Sequence, residues 1–189
     1  KKHAEYLALQ NQINPHFLYY SLDSIMWLLR MNRTEDASVM LSSFTTLFRI
    51  SLSKGDDFIP IEKEVKHVES YLVVQNMRYS KKFDYEVHVP PDLMKYHTMK
   101  LLLQPLVENA IYHGMEFMDG DGEIHIRAYR KEKDLFIDVV DNGPGMPPEQ
   151  AQSLFLDSAQ KPKTGKGSGV GLRNVNERIQ LYFGKEYGL

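Results

Sequence analysis

Apolar residues recur at three- or four-residue intervals in the first part of the chain, and this spacing predicts helices. The first series consists of Phe17 or Leu18, Leu22, Ile25 and Leu28 or Leu29, and the second of Leu41, Phe44 and Phe48. The pair Asn32-Arg33 predicts a break between two antiparallel helices. Gly55, in the turn over 54–57, is expected to end the second helix.

A third helix is expected from Ile61 to Arg78, because Pro60 suits the first turn of a helix. A helical hairpin with an apolar seam cannot bury both of its faces alone. We therefore expect two copies to pair into a four-helix bundle, which predicts a homodimer. Residues 1–80 form this helical unit.

After about position 83 the pattern changes to the two-residue alternation of β-strands. Strands are predicted at Phe83–Val89, Glu123–Tyr129 and Leu135–Val140, and helices at His97–Met115, over 149–156 and at Leu172–Tyr182. The last two strands form an antiparallel hairpin. The predicted fold class is α+β, with the N-terminal helical hairpin followed, over 81–189, by an α/β sandwich whose helices cover one sheet face.

Composition excludes several classes of protein. The 189 residues are 42% hydrophobic and 25% charged, which is typical of a folded globular chain. A formal net charge of −2 without a long basic run argues against nucleic acid as a principal partner. Cysteine is absent, which removes disulfide and thiol chemistry. Because the chain starts with Lys1 and contains no membrane-spanning run, we expect a fragment of a longer protein whose other part carries a membrane anchor.

Asp141 and the glycines that follow it form one candidate binding site. The strand Leu135–Val140 runs directly into Asp141, Gly143 and Gly145. Glycines let the backbone come close to a flat or charged ligand. The carboxylate of Asp141 can accept hydrogen bonds from an exocyclic amino group such as that of adenine. A plain turn is the alternative interpretation.

His16 follows Pro15 inside an apparent helix. Proline removes a backbone hydrogen bond and often kinks a helix, which would display His16 beside the distortion. A neutral imidazole is a nucleophile near physiological pH. A surface histidine on a bundle helix is the alternative.

Glu108, Asn109 and His113 lie in the otherwise apolar stretch 101–113. Asn109 and His113 are four positions apart, so they would share one helix face and form a pocket wall. The side-chain oxygen of Asn109 suits a Mg²⁺ ion that bridges phosphates. Ordinary polar residues at a helix border are the alternative.

A glycine-rich segment immediately precedes the last predicted helix. It contains Gly165, Gly167, Ser168, Gly169 and Gly171. Backbone N–H groups at a helix N-terminus bind anions such as phosphate. The spacing is not that of a P-loop, and a flexible linker is the alternative.

The order of these motifs resembles the nucleotide-binding boxes of the gyrase/Hsp90/histidine kinase/MutL ATPase superfamily. The order is Glu108-Asn109, then Asp141-x-Gly143-x-Gly145, then Gly167-x-Gly169-x-Gly171. The upstream segments Gln-Ile-Asn-Pro-His16-Phe-Leu and Tyr71-Leu-x-x-Gln-x-x-Arg78-Tyr79 narrow the resemblance to sensor histidine kinases of the LytS/YesM type. It covers nearly the whole chain.

The resemblance implies a two-component sensor kinase that uses ATP and Mg²⁺. His16 is the expected phosphoacceptor, Glu108 would position or polarise the reacting groups, and Asn109 would ligate Mg²⁺. The phosphoryl group would then pass to an aspartate on the receiver domain of a response regulator. The kinase part is expected in the cytoplasm.

The same resemblance assigns the nucleotide-binding residues. Asp141 would bind the adenine amino group, and Gly143 and Gly145 would shape that wall. His113 is expected on the nucleotide-binding face, and residues 146–168 would form a lid. The phosphate contacts are expected from Gly167, Ser168, Gly169 and Gly171.

Two features, Tyr20 and the C-terminal end, depart from the family pattern. Tyr20 stands where the family usually has asparagine, one turn from His16, and its phenol is expected to crowd the imidazole. Phe17 stands where many other histidine kinases place an acid. Family members also continue into a closing strand pair, so we expect the domain to be truncated after Leu189. Two rival functions remain open: a non-catalytic nucleotide-binding dimerisation module, and an ATPase that drives clamp motion.

Overall fold

The computed structural model describes residues 15–53, 55, 57–80, 82–115, 118–155 and 170–189. In chain order its elements are helix α1 (Pro15–Arg30), helix α2 (Thr34–Ser51), strand β1 (Phe58–Pro60), helix α3 (Ile61–Arg78), strand β2 (Phe83–His88), a 3-10 helix (Pro91–Leu93), strand β3 (His97–Met99), helix α4 (Leu103–Asn109), a π-helix (Ala110–Met115), strand β4 (Gly122–Lys131), strand β5 (Asp134–Asp141), helix α5 (Pro148–Ser153) and helix α6 (Val170–Phe183). The predicted order, helices first and then sheet with helices, is confirmed. No helix within the described ranges is long and apolar enough to cross a bilayer.

Helices α1 and α2 form the predicted hairpin, and α3 packs against both. Asn32 lies in the connection with a φ of 56°, so the predicted break is confirmed. The ring of Phe17 joins the three helices: its centroid lies 6.3 Å from that of Phe44 on α2 and 5.4 Å from that of Tyr71 on α3. Helix α3 has the predicted bounds and directly follows Pro60.

The seam between these helices uses other positions than we predicted. Leu22 and Leu41 were expected inside it but are 40% and 48% exposed. The buried positions are Phe17, Ser21, Ile25 and Leu28 on α1, and Ala37, Met40, Phe44, Leu47 and Ser51 on α2. Each helix carries more than one apolar stripe, and α3 covers only the inner one. The outer stripe therefore stays exposed.

Strands β2, β4 and β5 form a three-stranded sheet with β4 in the centre. Strand β4 pairs with β2 in parallel and with β5 in antiparallel orientation, so the predicted hairpin is confirmed. Ile124 and Ile126 are fully buried on the face of β4 that meets the helices. Because side chains alternate along a strand, Glu123 and His125 lie on the opposite face.

The helix predicted from His97 to Met115 is wrong at its start. His97–Met99 is strand β3, which pairs with β1, and Leu101 then has a φ of 58°. Helix α4 begins only at Leu103 and continues into the π-helix. Pairing with β1 gives the backbone groups of this segment hydrogen-bond partners outside a helix.

Most other boundaries lie close to their predicted positions. The strands of the three-stranded sheet and helix α6 begin and end within two residues of them. The short helix predicted over 149–156 ends at Ser153. Helix α6 is attached to the start of α4, because Nη2 of Arg178 donates a hydrogen bond to the carbonyl of Lys100 at 2.9 Å.

Candidate functional site

Asp141 ends strand β5, and its carboxylate is enclosed by two glycines. Its Oδ1 accepts a hydrogen bond from the backbone N–H of Gly143 at 2.8 Å. A Cβ atom on either Gly114 or Gly143 would lie 2.7 Å from this oxygen, so a side chain there would displace the carboxylate. Within the described residues no donor occupies Oδ2. Asp141 therefore keeps one oxygen available for a ligand.

The turn after Asp141 is fixed by Asn142. Its Oδ1 accepts a hydrogen bond from the backbone N–H of Glu123 at 2.7 Å, and its Nδ2 donates to the carbonyl of Asp121 at 2.9 Å. Gly145 has a φ of 70°, a conformation that favours glycine. The turn is thus tied to the start of strand β4. No motif in the sequence indicates this role of Asn142.

Glu108 and Asn109 end helix α4, and His113 lies in the π-helix that follows. Glu108 and Asn109 are partly buried, whereas His113 is exposed. π-Helical turns are rare and occur frequently at functional sites. This one brings Gly114 into contact with Asp141 and Gly143. The motif around Glu108 and Asn109 and the motif at Asp141 are therefore neighbours in the structure.

The carboxylate of Glu108 is held by Gln104 and lies near Tyr71 of helix α3. Nε2 of Gln104 donates to Oε1 of Glu108 at 2.9 Å. Tyr71 lies near the same carboxylate, and its hydroxyl accepts a hydrogen bond from Nε2 of Gln75 at 2.7 Å. Burial raises the pKa of Glu108, and Gln104 and Tyr71 oppose that rise. Tyr71, which belongs to a family motif in the sequence, therefore lies beside Glu108 in the structure.

Tyr71 also touches the helix that carries His16. Its ring stacks on that of Phe17 at 5.4 Å between centroids and 30° between planes. His16, the neighbour of Phe17 in the first turn of α1, is exposed. One buried side chain thus contacts both the helix of the candidate phosphoacceptor and the carboxylate of Glu108.

Tyr20 lies beside His16, as its position one turn along the helix predicts. The two rings are 6.2 Å apart between centroids and inclined by 24°. The guanidinium carbon of Arg78, at the end of α3, lies 4.7 Å from the centroid of the Tyr20 ring, which is a cation–π contact. Tyr20 therefore links His16 to the end of α3.

Gly171 lies in the first turn of helix α6. A Cβ atom at Gly171 would lie 3.5 Å from Cβ of Pro105, so the start of α6 is next to the helix that bears Glu108 and Asn109. The other predicted phosphate contacts, Gly167, Ser168 and Gly169, lie outside the described residues, as does the part of the predicted lid over 156–168.

Glu64 positions helix α4 and was missed by the sequence analysis. Its Oε2 accepts a hydrogen bond from the backbone N–H of Leu101 at 3.0 Å, and its Oε1 accepts those of Leu102 and Leu103 at 2.7 and 3.0 Å. These donors lie where a helix start leaves N–H groups without partners. Burial raises the pKa of Glu64, and the three hydrogen bonds oppose that rise.

Each half of the chain matches a known protein family. Residues 4–83 match the family described as histidine kinase. Residues 95–187 match the family described as histidine kinase-, DNA gyrase B-, and HSP90-like ATPase, so this half is an ATP-binding domain.

Three curated proteins are similar over nearly the whole chain. Sensor histidine kinase YesM of Bacillus subtilis is 38% identical over 188 residues, which are 100% of this chain and 31% of that protein. Sensor protein LytS of Bacillus cereus is 33% identical and covers 97% of this chain, again with 31% of its own length matched. Sensor histidine kinase BtsS of Escherichia coli is 30% identical and covers 98% of this chain, with 30% of its length matched.

A histidine kinase, AdeS of Acinetobacter baumannii, is similar in structure, with a TM-score of 0.41, 16% identity, and coverage of 78% of this chain and 75% of that one. The chain spans about a third of the length of the curated relatives that it matches. Both family matches and the three relatives agree, and the chain belongs to the sensor histidine kinases of the LytS/YesM type.

Proposed function

We propose that this chain is the catalytic part of a two-component sensor kinase that phosphorylates itself on His16. The observation that carries the proposal is the position of Tyr71 between the helix of His16 and the carboxylate of Glu108. This side chain stacks on Phe17, next to the exposed His16, and lies near the carboxylate of Glu108, whose pKa it lowers, at the end of the helix beside Asp141. Because Tyr71 lies next to both the helix of the candidate phosphoacceptor and the candidate nucleotide site, the arrangement suits a kinase better than an ATPase without a phosphoacceptor.

The residues around Asp141 and Asn109 have the chemistry that ATP binding requires. The free Oδ2 of Asp141 can accept a hydrogen bond from the adenine amino group, because Gly114 and Gly143 leave room for the carboxylate. Asn109 offers a partly buried side-chain oxygen, the kind of ligand that Mg²⁺ prefers. Gly171 lies in the first turn of a helix, where free backbone N–H groups can bind the phosphates. His113, Gly145, Gly167, Ser168 and Gly169 complete the proposed set.

In the proposed reaction the neutral imidazole of His16 attacks the γ-phosphorus, and the bond to the departing ADP oxygen breaks. Glu108 positions the reacting groups, because Gln104 fixes its carboxylate. ATP supplies the phosphoryl group, and a Mg²⁺ ion held by Asn109 would, together with backbone N–H groups, stabilise the charge that develops on it. An aspartate on the receiver domain of a response regulator then accepts the phosphoryl group.

We propose that residues 1–80 carry dimerisation and phosphotransfer and that residues 81–189 bind nucleotide. The family matches over 4–83 and 95–187 support this division. Helix α3 belongs to the first unit but contributes Glu64 to the start of α4. In this proposal the kinase part acts in the cytoplasm, where ATP and receiver domains are available.

The test is incubation of the purified chain with γ-labelled ATP and Mg²⁺, followed by acid and base treatment. We expect label that survives base and is lost in acid, as a phosphohistidine requires. His16→Gln should abolish the label but keep nucleotide binding. His97→Gln, which changes an exposed histidine on β3, should keep both. Label that persists in His16→Gln would refute the assignment.

Asp141→Asn separates the nucleotide site from the phosphoacceptor. Loss of a hydrogen bond to a charged group should weaken ATP binding by at least about tenfold. Calorimetric titration with ATP measures this directly. Unchanged ATP affinity in Asp141→Asn would exclude Asp141 from the proposed adenine contact.

The contact of Tyr20 with His16 favours a second candidate, a non-catalytic nucleotide-binding dimer. In that case the wild-type chain binds ATP but takes up no label. Tyr20→Asn distinguishes the two. Label that appears only in Tyr20→Asn would show that the phenol blocks His16 in a chain that otherwise has kinase chemistry.

A further inference from the structure

The sheet face turned away from the helices carries two histidines and a glutamate from neighbouring strands. Strands β2 and β4 pair in parallel, with Glu86 directly opposite His125. His88 lies two residues beyond Glu86 on the same strand. Since alternate residues of a strand share a face, all three side chains lie on the same side of the sheet.

These side chains converge on one point. Oε2 of Glu86 lies 2.7 Å from Nε2 of His88 and 3.6 Å from Nδ1 of His125. The three potential ligand atoms all lie within 4.8 Å of one another. The imidazole rings of His88 and His125 are nearly parallel, with 8° between their planes. In a tetrahedral zinc site, ligand atoms are about 3.3 Å apart, and the observed distances of 2.7 and 3.6 Å lie on either side of that value.

A second carboxylate orients His125. Nε2 of His125 lies 3.4 Å from Oε2 of Glu123, while its Nδ1 faces Glu86. A proton held on Nε2 by Glu123 leaves the lone pair of Nδ1 free to bind a metal. Carboxylates commonly fix the tautomer and orientation of metal-bound histidines in this way. Arg127 lies opposite His88 in the sheet register and adds a positive charge that the carboxylate of Glu86 offsets.

We infer that Glu86, His88 and His125 form a binding site for a divalent transition-metal ion, with Zn²⁺ as the ion that the ligand set fits. Two imidazoles and a carboxylate suit Zn²⁺ and its neighbours in the transition series, whereas Mg²⁺ prefers oxygen ligands only. The site lies on the opposite sheet face from Asn109 and α4. The bound ion would join β2 to β4, and Glu123 would act as a positioning residue.

The direct test is titration of the tag-free, chelator-treated chain with Zn²⁺ by calorimetry, without nucleotide. We expect one saturable ion per chain. His88→Ala and His125→Ala should each lower the affinity by at least about tenfold, and Glu123→Gln should lower it by about tenfold through its effect on His125. His97→Ala is the matched control on a different strand and should bind like the wild type.

Two further readouts keep the result independent of folding and of catalysis. Co²⁺ in place of Zn²⁺ should give a visible absorption typical of tetrahedral nitrogen and oxygen ligation, and His125→Ala should lose it. Zn²⁺ should raise the melting temperature of the wild type and of His97→Ala but not that of His88→Ala. Absence of saturable binding, or equal binding by the wild type and the two histidine variants, would overturn the inference.

Discussion

The buried His67 joins helix α3 to helix α2. Its Nε2 lies 2.9 Å from Oγ of Ser51, and both side chains are buried. Burial, followed by the charge of Lys100, lowers the pKa of His67 from 6.5 to about 4. The folded protein therefore keeps His67 neutral at pH values where the unfolded chain takes up a proton.

This difference predicts a pH-dependent stability. Because the pKa of His67 is lower in the folded than in the unfolded state, His67 does not lower the free energy of unfolding above about pH 6.5. Below that pH the unfolded chain binds the proton first, so the stability falls as the pH drops towards about 4. The difference between the two pKa values corresponds to about 3 kcal/mol in total. Urea unfolding at about pH 7 and about pH 4.5 should therefore show a smaller acid-induced loss of unfolding free energy in His67→Gln than in the wild type.

The exposed His97 provides the control for this measurement. His97→Gln changes an exposed histidine and should lose as much stability on acidification as the wild type. An equal loss in His67→Gln and the wild type would contradict the role given to His67.

At the scale of elements, helix α4 depends on a carboxylate from helix α3. Glu64→Gln keeps the shape of the side chain but replaces one acceptor oxygen by an N–H donor. One of the backbone N–H groups of 101–103 then stays buried without a partner, which costs about 1–3 kcal/mol. Urea unfolding should show this loss, while Glu62→Gln, an exposed change on the same helix, should stay within about 0.5 kcal/mol of the wild type. Equal stability of the two variants would argue against the cap.

The same interaction explains which elements could be predicted from the sequence. Helix α3 was predicted at both ends, because Pro60 and the apolar spacing are local signals. The start of α4 was not, since its N–H groups bond to Glu64, 37 to 39 positions away. The apolar spacing of α1 and α2 could not show which of their stripes would meet α3.

The candidate site was predictable where its chemistry lies in consecutive residues. Asp141 and Gly143 form a local turn, and the sequence motif indicates it. The contact of Gly114 with that turn depends on a π-helix, whose period differs from the one that sequence patterns assume. The approach of Tyr71 to Glu108 joins two motifs that are far apart in the chain, and no local pattern encodes it.

For the whole molecule, the exposed apolar residues of α1 bear on assembly. Tyr19, Leu22, Met26 and Leu29 recur at helical spacing, and each is 40% exposed or more. Exposed apolar patches of this kind mark interaction surfaces. Within a hairpin whose inner stripe is already covered by α3, this outer stripe is the surface that a second copy would bury in a four-helix bundle.

A charge in that stripe should therefore separate the protomers. In Leu22→Asp a carboxylate would have to enter the apolar interface, which costs several kcal/mol and should weaken dimerisation by at least about a hundredfold. Leu181→Asp is the matched control, because Leu181 on α6 is 82% exposed and lies outside the stripe. Sedimentation equilibrium at several concentrations should show a dimer for the wild type and Leu181→Asp and a monomer for Leu22→Asp. A monomeric wild type, or a Leu22→Asp variant that still forms the dimer, would mean that the stripe does not hold two copies together.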